Sequence, residues 1–394
     1  MLVIVAPGQG AQTPGFLIPW LEDPVFRSRF EWLSAVAGID LVHYGTEADA
    51  ETIRDTRIAQ PLLVAAGLVA ALELFPHPAE AFGKIGAVAG HSVGELTAAV
   101  GARAITAEQA MVLVRERGNA MAEAAAVRPT SMTAVLGGDR DEVLAAIAKH
   151  GLTPANDNGP GQIVAAGTVE QLEAFAADAP AKARLMPLSV AGAFHTEHMA
   201  PAVSHLASLA KSVSTHDPRA VVISNADGQV LHDGREVVSR IVGQIARPVR
   251  WDLCMETMRD LGVTGVLEMP PAGTLTGIIK RQLKGVETFA LKTPDQLDDA
   301  RAFCQRHGEQ SQIETTPTWR VVVSPAKGTF HLDKDAAHAE ELDAACTIGQ
   351  VSSLRDHTDV RAAHGGTVVE WLVEDGDLVS PGQPLLRLHP KGAA

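Results

Sequence analysis

The sequence predicts an α/β protein with a large subdomain on a mainly parallel sheet, a small α+β insert within it, and a separate β unit at the C-terminus. Three observations carry that expectation. The opening run Leu2-Val3-Ile4-Val5-Ala6 is continuously apolar, as befits a strand buried on both faces of a parallel sheet. Gly86-Ala87-Val88-Ala89 leads through Gly90-His91-Ser92-Val93-Gly94 into the helix-forming run Glu95-Leu96-Thr97-Ala98-Ala99, a strand–turn–helix unit. Beyond a polar tract at residues 310–318 the pattern turns to short strands and tight turns.

Composition narrows the class. With 394 residues, two or three domains are expected, and 46% apolar with only 4% aromatic residues fits an Ala/Val/Leu-rich globular chain. A formal charge of −14 argues against nucleic acid as a main partner, since no basic excess exists to neutralise phosphates. Cys254, Cys304 and Cys346 are far apart, without CxxC spacing, which suits a reducing compartment with neither disulfides nor a metal site. The N-terminus lacks a basic segment ahead of its short apolar run, and no apolar run is read as approaching membrane-spanning length. A soluble cytoplasmic protein is expected.

In order, the first strand ends at Pro7-Gly8-Gln9-Gly10-Ala11-Gln12, past the carboxyl end of a strand, where open α/β sheets place ligands. The loop is either an oxyanion site or a tight βα turn. Residues 58–74 read as a buried helix with Pro61 in its first turn. The Gly-x-Ser-x-Gly turn has the form of a nucleophile elbow, or of a plain glycine-lined turn. Thr106-Ala107-Glu108-Gln109 has capping-box form and opens a helix on which Ala110, Leu113, Val114, Arg117 and Met121 share one face. A guanidinium on that apolar face needs an anionic partner, either a protein carboxylate or a ligand's.

From residue 132 the order strand (132–136), helix (141–150), strand (162–166), helix (169–177) and strand (183–190) suggests a ferredoxin-like insert. The stretch from Ala155 to Gly161, with Asn156 and Asn158, reads as a turn-rich loop whose Asn side chains serve local backbone or a site. The chain returns through Gly192-Ala193-Phe194-His195-Thr196, where position singles out His195 or His198. Strands at 221–224 and 263–269 and helices at 237–246 and 275–283 follow. Lys280, Arg281 and Lys284 near the end of the last helix also complement its dipole. In the C-terminal unit, strands open at residue 320, continue at 365–373 and close at 384–388, with Glu374-Asp375-Gly376-Asp377 read as a hairpin turn.

Together these motifs resemble the malonyl-CoA:acyl-carrier-protein transacylases. The resemblance rests on Pro7-Gly8-Gln9-Gly10-Ala11-Gln12, Gly90-His91-Ser92-Val93-Gly94-Glu95, Arg115-Glu116-Arg117-Gly118 with Met121, Gly192-Ala193-Phe194-His195-Thr196, and Gln244 ahead of Pro248-Val249-Arg250-Trp251. It implies an acyltransferase domain at 1–308, with a hydrolase-like large subdomain at 1–127 and 191–308 and the insert at 128–190. It further implies malonyl-CoA and acyl carrier protein as substrates, Ser92 as nucleophile, His195 as base, and the Gln244 carbonyl orienting the imidazole. Oxyanion donors would be the N–H groups of Gln9 and Val93. Arg117 would clamp the malonyl carboxylate, while Met121, Phe194 and Asn158 would contact substrate. A docking patch for the carrier protein is expected at Lys280, Arg281 and Lys284. Where the family has Gly-Pro-Gly, this chain reads Met269-Pro270-Pro271-Ala272-Gly273.

Past a linker at 309–318, residues 319–390 resemble a biotinyl/lipoyl-type barrel-sandwich domain through Gly365-Gly366-Thr367-Val368 and Val379-Ser380-Pro381-Gly382-Gln383-Pro384-Leu385. The cofactor lysine of such domains sits in a hairpin that falls near 351–362, where this chain has Arg355. Arg forms no amide with biotin or lipoate, so no cofactor is expected, and the unit would dock other fatty-acid synthesis proteins. Two alternatives stand beside the transacylase: a serine esterase or thioesterase of α/β-hydrolase type, and a non-catalytic scaffold working through the C-terminal unit.

Overall fold

The computed structural model describes residues 1–77, 81–308, 320–353 and 356–390. The chain forms two compact units, Met1–Ser311 and Gln312–Ala394. The linker expected at 309–318 lies outside the described residues.

In the first unit the apolar runs pair as parallel strands. Across the large sheet the order is Glu287–Ala290, Gly265–Glu268, Leu2–Ala6, Ile85–Gly90, Val221–Ile223 and Val230–Leu231, with only the last pair antiparallel. Side chains alternate across a strand, so the sheet feeds two cores. Leu2, Val88 and Leu267 pack into one; Val3, Val5, Ala87, Ala89 and Val266 pack into the other. The first core takes helices Pro24–Ala37 and Thr56–Leu74, and the second takes Trp251–Asp260 and Thr274–Gln282.

The Thr56–Leu74 helix corrects two expectations. It starts two residues earlier than read, because Asp55 caps it by accepting from Arg57 N, and Pro61 therefore lies in the second turn. At 19 residues and mean hydropathy 1.5 it is long and apolar enough to cross a membrane by length and composition. Here 72% of that window is buried inside the protein, so it is a core helix whose neighbours take the place of lipid.

The insert has one more strand than expected. Thr153–Asp157, whose last three residues fall in the expected 155–161 loop, lies between Gln162–Thr168 (antiparallel) and Val249–Arg250 (parallel). The full sheet order is Ala183–Pro187, Thr130–Gly137, Gln162–Thr168, Thr153–Asp157, Val249–Arg250. The last of these strands belongs to the large subdomain, so the two subdomains share one sheet. The final strand of the insert stops at Pro187, three residues short of the expected end.

Among the described residues the second unit forms two four-stranded sheets, all of whose pairs are antiparallel. One has the order Arg320–Val323, Pro384–Pro390, Gly366–Trp371, Glu341–Leu342; the other His357–Arg361, Thr347–Ser352, Gly328–Leu332, Leu378–Val379. Phe330, Ile348, Val351, Val360, Leu385 and Leu386 share its core. The turn at Glu374-Asp375-Gly376-Asp377 is not a hairpin: it carries the chain from Gly366–Trp371 in one sheet to Leu378–Val379 in the other. Thr347–Ser352 and His357–Arg361 do form a hairpin. Arg355 lies outside the described residues.

Candidate active site

The Ile85–Gly90 strand and the Gly94–Gly101 helix meet at Ser92, whose φ of 53° is strained for a residue with a side chain. The turn closes as His91 N–H donates to Ala6 O at 2.9 Å and Gly94 N–H to His91 O at 3.0 Å. Backbone crowding explains both glycines. A Cβ on Gly90 would stand 1.9 Å from the Gly94 carbonyl carbon, and one on Gly94 would stand 2.3 Å from Ala6 O. Ser92 N–H donates to Asn225 Oδ1 at 2.8 Å, from just past the neighbouring strand.

Of the two candidate histidines, His195 faces the serine. Its Nε2 lies 2.7 Å from Ser92 Oγ, and its Nδ1 lies 2.8 Å from Gln244 O. A carbonyl only accepts, so Nδ1 carries the proton and Nε2 is left to accept from the serine hydroxyl. Burial, then the Arg117 charge, pushes the His195 pKa down to about 3, against the Gln244 bond that raises it. The imidazole is therefore neutral at neutral pH, the form a base requires.

Arg117 comes from the buried face of the Ala107–Ala126 helix, opened by the expected Thr106/Gln109 capping box. Its side chain is fully buried. Nη1 donates to Gln60 Oε1 at 2.6 Å, and Nη2 to Gln244 Oε1 at 2.9 Å and Ser92 Oγ at 3.3 Å, while Nε has no acceptor among the described residues. Among the described residues no carboxylate pairs with it within 4.0 Å. Burial lowers its pKa to about 10, leaving it charged, with Glu95 the nearby anion that opposes this shift.

A cleft of about 240 Å³ opens over these groups, lined among others by Gln9, Gln60, Ser92, Met121, Asn158, Phe194 and His195. The Gln9 and Val93 N–H groups find no acceptor among the described residues. Asn158 Oδ1 meets His91 Nε2 at 3.0 Å, and that ring lies edge-on to Trp251, so this Asn belongs to the cleft rather than to its local turn. Lys280, Arg281 and Lys284 stand apart, exposed at the end of the Thr274–Gln282 helix. Thr274, Leu275 and Ile278 of that helix line the cleft, and of the three basic residues Arg281 reaches its lining, donating to Gln162 Oε1 at 2.8 Å.

Sequence reasoning assigned no role to four residues of the site: Gln60, His91, Glu95 and Asn225. Gln60 and Asn225 had one available signal, a polar side chain inside or directly after an apolar buried run. Such positions stay uncharged and buried only when their hydrogen bonds are met.

A strained elbow serine, bonded to a neutral histidine whose far nitrogen is fixed by a carbonyl, defines a serine acyl-transfer centre. Comparison with known proteins agrees: the family model of the acyl transferase domain matches residues 3–315. The malonyl CoA-acyl carrier protein transacylase of Mycobacterium tuberculosis (strain H37Rv) is 49% identical over 299 residues, 76% of this chain and 99% of that protein. That of Escherichia coli (strain K12) is 33% identical over 74% of this chain and 96% of its own length. Among solved structures, the Mycobacterium tuberculosis enzyme superposes with a TM-score of 0.74 at 48% identity, covering 76% of this chain and 99% of that one. A malonyl-transacylase in complex with its type II polyketide-synthase acyl-carrier protein gives 0.70 at 31% identity, with 76% and 99% covered. The chain belongs to the malonyl CoA-acyl carrier protein transacylase family.

Proposed function

We propose that this chain moves malonyl from malonyl-CoA to the phosphopantetheine thiol of an acyl carrier protein through an ester on Ser92. Ser92 Oγ attacks the thioester carbonyl while His195 Nε2 takes its proton. The oxyanion sits on the Gln9 and Val93 N–H groups, each such donor being worth roughly 3 kcal/mol of barrier. Collapse expels the CoA thiolate, which takes the proton from His195. The carrier thiol then gives its proton to His195 and attacks the ester; Ser92 Oγ leaves with that proton, regenerating the serine and the neutral imidazole and releasing the malonyl-carrier thioester.

The observation that carries the malonyl assignment is Arg117, a buried guanidinium 3.3 Å from Ser92 Oγ whose partners among the described residues are neutral oxygens. A substrate carboxylate completes it with a bidentate pair, and an acetyl group leaves it desolvated and unpaired. Phe194, 6% exposed in the cleft wall, would stand beside the α-carbon and disfavour a methyl branch. Incubation with malonyl-CoA should give an intact-mass malonyl adduct that Ser92→Ala abolishes and that carrier thiol discharges. Rapid hydrolysis without transfer would instead identify an esterase.

Lys280, Arg281 and Lys284 form the docking patch for the acidic carrier protein. The βαββαβ order of the insert supports its ferredoxin-like reading. For the C-terminal unit, two antiparallel four-stranded sheets and the Thr347–Ser352/His357–Arg361 hairpin support a biotinyl/lipoyl-like barrel-sandwich. With Arg355 in place of a lysine it carries neither biotin nor lipoate, and it docks partners of the same synthetic system in the cytoplasm.

A further inference from the structure

Glu95 is a buried acid, 4% exposed, that the transfer chemistry does not use. Both its oxygens are committed. Oε1 accepts from Asn225 N–H at 2.7 Å, and Oε2 accepts from Gln244 Nε2 at 2.5 Å. Each of those partners holds part of the catalytic centre. Asn225 Oδ1 accepts from Ser92 N–H, and its Nδ2 donates to Gly90 O at 2.7 Å. Gln244 holds His195 through its backbone carbonyl and Arg117 through Oε1.

The Gln244 amide has two chemically distinct ends, and its surroundings admit one orientation. Around Nε2 stand three acceptors: Glu95 Oε2, Ser92 O at 3.1 Å and Asn225 Oδ1 at 3.1 Å. Against Oε1 stands a guanidinium N–H. Turning the amide over would set carbonyl oxygen against carboxylate and NH2 against guanidinium, two mismatches among side chains that are all buried. Of the three acceptors only Glu95 is ionisable, and charge-assisted hydrogen bonds are the strong ones.

We propose that Glu95 is a positioning residue for malonyl selectivity: through the Gln244 amide it fixes the Arg117 guanidinium in the attitude that receives the substrate carboxylate. This rests on the malonyl-Ser92 reading above. The charges facing Glu95 agree with it. Burial raises the carboxyl to about 7, against the Asn225 and Gln244 hydrogen bonds and the Arg117 and Arg240 charges, which all favour its ionised form. Glu95 also stands between Arg117 and complete electrostatic isolation, yet keeps Gln244 between them. The guanidinium is therefore steadied by an acid that does not occupy the place of the substrate's carboxylate.

The test compares malonyl-CoA and acetyl-CoA as donors. Glu95→Gln keeps the shape but replaces the Gln244-facing acceptor with a group that either donates or takes its acceptor away from Asn225. Loss of a hydrogen bond to a charged group predicts a fall of roughly 10- to 100-fold in kcat/KM for malonyl-CoA. Acetyl-CoA, which does not use Arg117, should change only a few-fold, so the malonyl/acetyl ratio collapses. Glu95→Asp, which restores the charge, should recover much of that ratio. Gln244→Met cuts the relay while keeping the backbone carbonyl for His195, and should lower the ratio even if Glu95→Gln does not fold. Equal losses for both donors, no recovery in Glu95→Asp, or an unchanged ratio in Gln244→Met would each overturn the proposal. Failure of the wild type to form the malonyl-Ser92 adduct would refute the underlying reading instead, whatever the variants do.

Discussion

Replacing Arg117 by alanine removes a fully buried cation and leaves Gln60 Oε1 and Gln244 Oε1 without their donors. For malonyl-CoA the change deletes a desolvated bidentate ion pair at the acyl end. Truncating one partner of such a pair costs about 2–5 kcal/mol, or roughly 30- to 5,000-fold in kcat/KM. For acetyl-CoA the same change deletes a charge that was buried without a partner, so the loss is confined to loosened Gln60 and Gln244, about 1 kcal/mol each. The Gln60 and Gln244 losses are common to both donors and cancel, so the ratio of the two specificity constants should fall by roughly 30-fold or more. Initial rates of transfer to carrier-protein thiol, with each donor varied at a fixed carrier concentration, measure it. Equal losses for both donors would refute the clamp and return Arg117 to a structural role.

Three more expectations follow from the geometry. Burial raises Glu95 to about 7 and lowers His195 to about 3, so an acid limb of kcat/KM for malonyl-CoA near neutral pH belongs to Glu95 and not to the imidazole. Protonation there removes the charge that holds Gln244, so the limb should vanish in Glu95→Gln, and a pH–rate profile of the free enzyme reports it. Gly90→Ala, with a Cβ 1.9 Å from the Gly94 carbonyl carbon, should lower stability by about 3 kcal/mol or prevent folding, read as a thermal midpoint. Charge reversal at Lys280, Arg281 and Lys284 should raise KM for carrier protein while leaving the rate of Ser92 malonylation unchanged, and an unchanged KM would place docking elsewhere.

What the sequence disclosed was local in origin. The Thr106/Gln109 box, the elbow glycines and the place of Arg117 on an apolar stripe are all written within one turn or one helix. The Thr153–Asp157 strand was hidden because Pro154, Asn156 and Asp157 disfavour extended pairing; partners from residues 163–166 and 249–250 impose it. Asn225 and Gln60 were illegible for a related reason. Their roles are defined by Ser92 and Arg117, 133 and 57 positions away, and nothing in their own neighbourhoods names those partners. The sheet-switching turn at Glu374 was misread because a two-sheet topology cannot be told from a meander by turn residues alone.

The bond that ties Gln244 to Ser92 spans 152 residues, and it has a meaning during synthesis. The nucleophile leaves the ribosome long before the residue whose carbonyl orients its base. At about 5–20 residues per second, that delay lasts of the order of ten seconds. Until then the serine is an ordinary hydroxyl, with neither an aligned imidazole nor an anchored guanidinium. If Ser92 is the nucleophile, the nascent chain should stay unreactive towards thioesters until residue 244 is in place. Reactivity arrives together with the parallel sheet that joins the far segments, so in a refolding experiment acylation competence should be among the last signals to return.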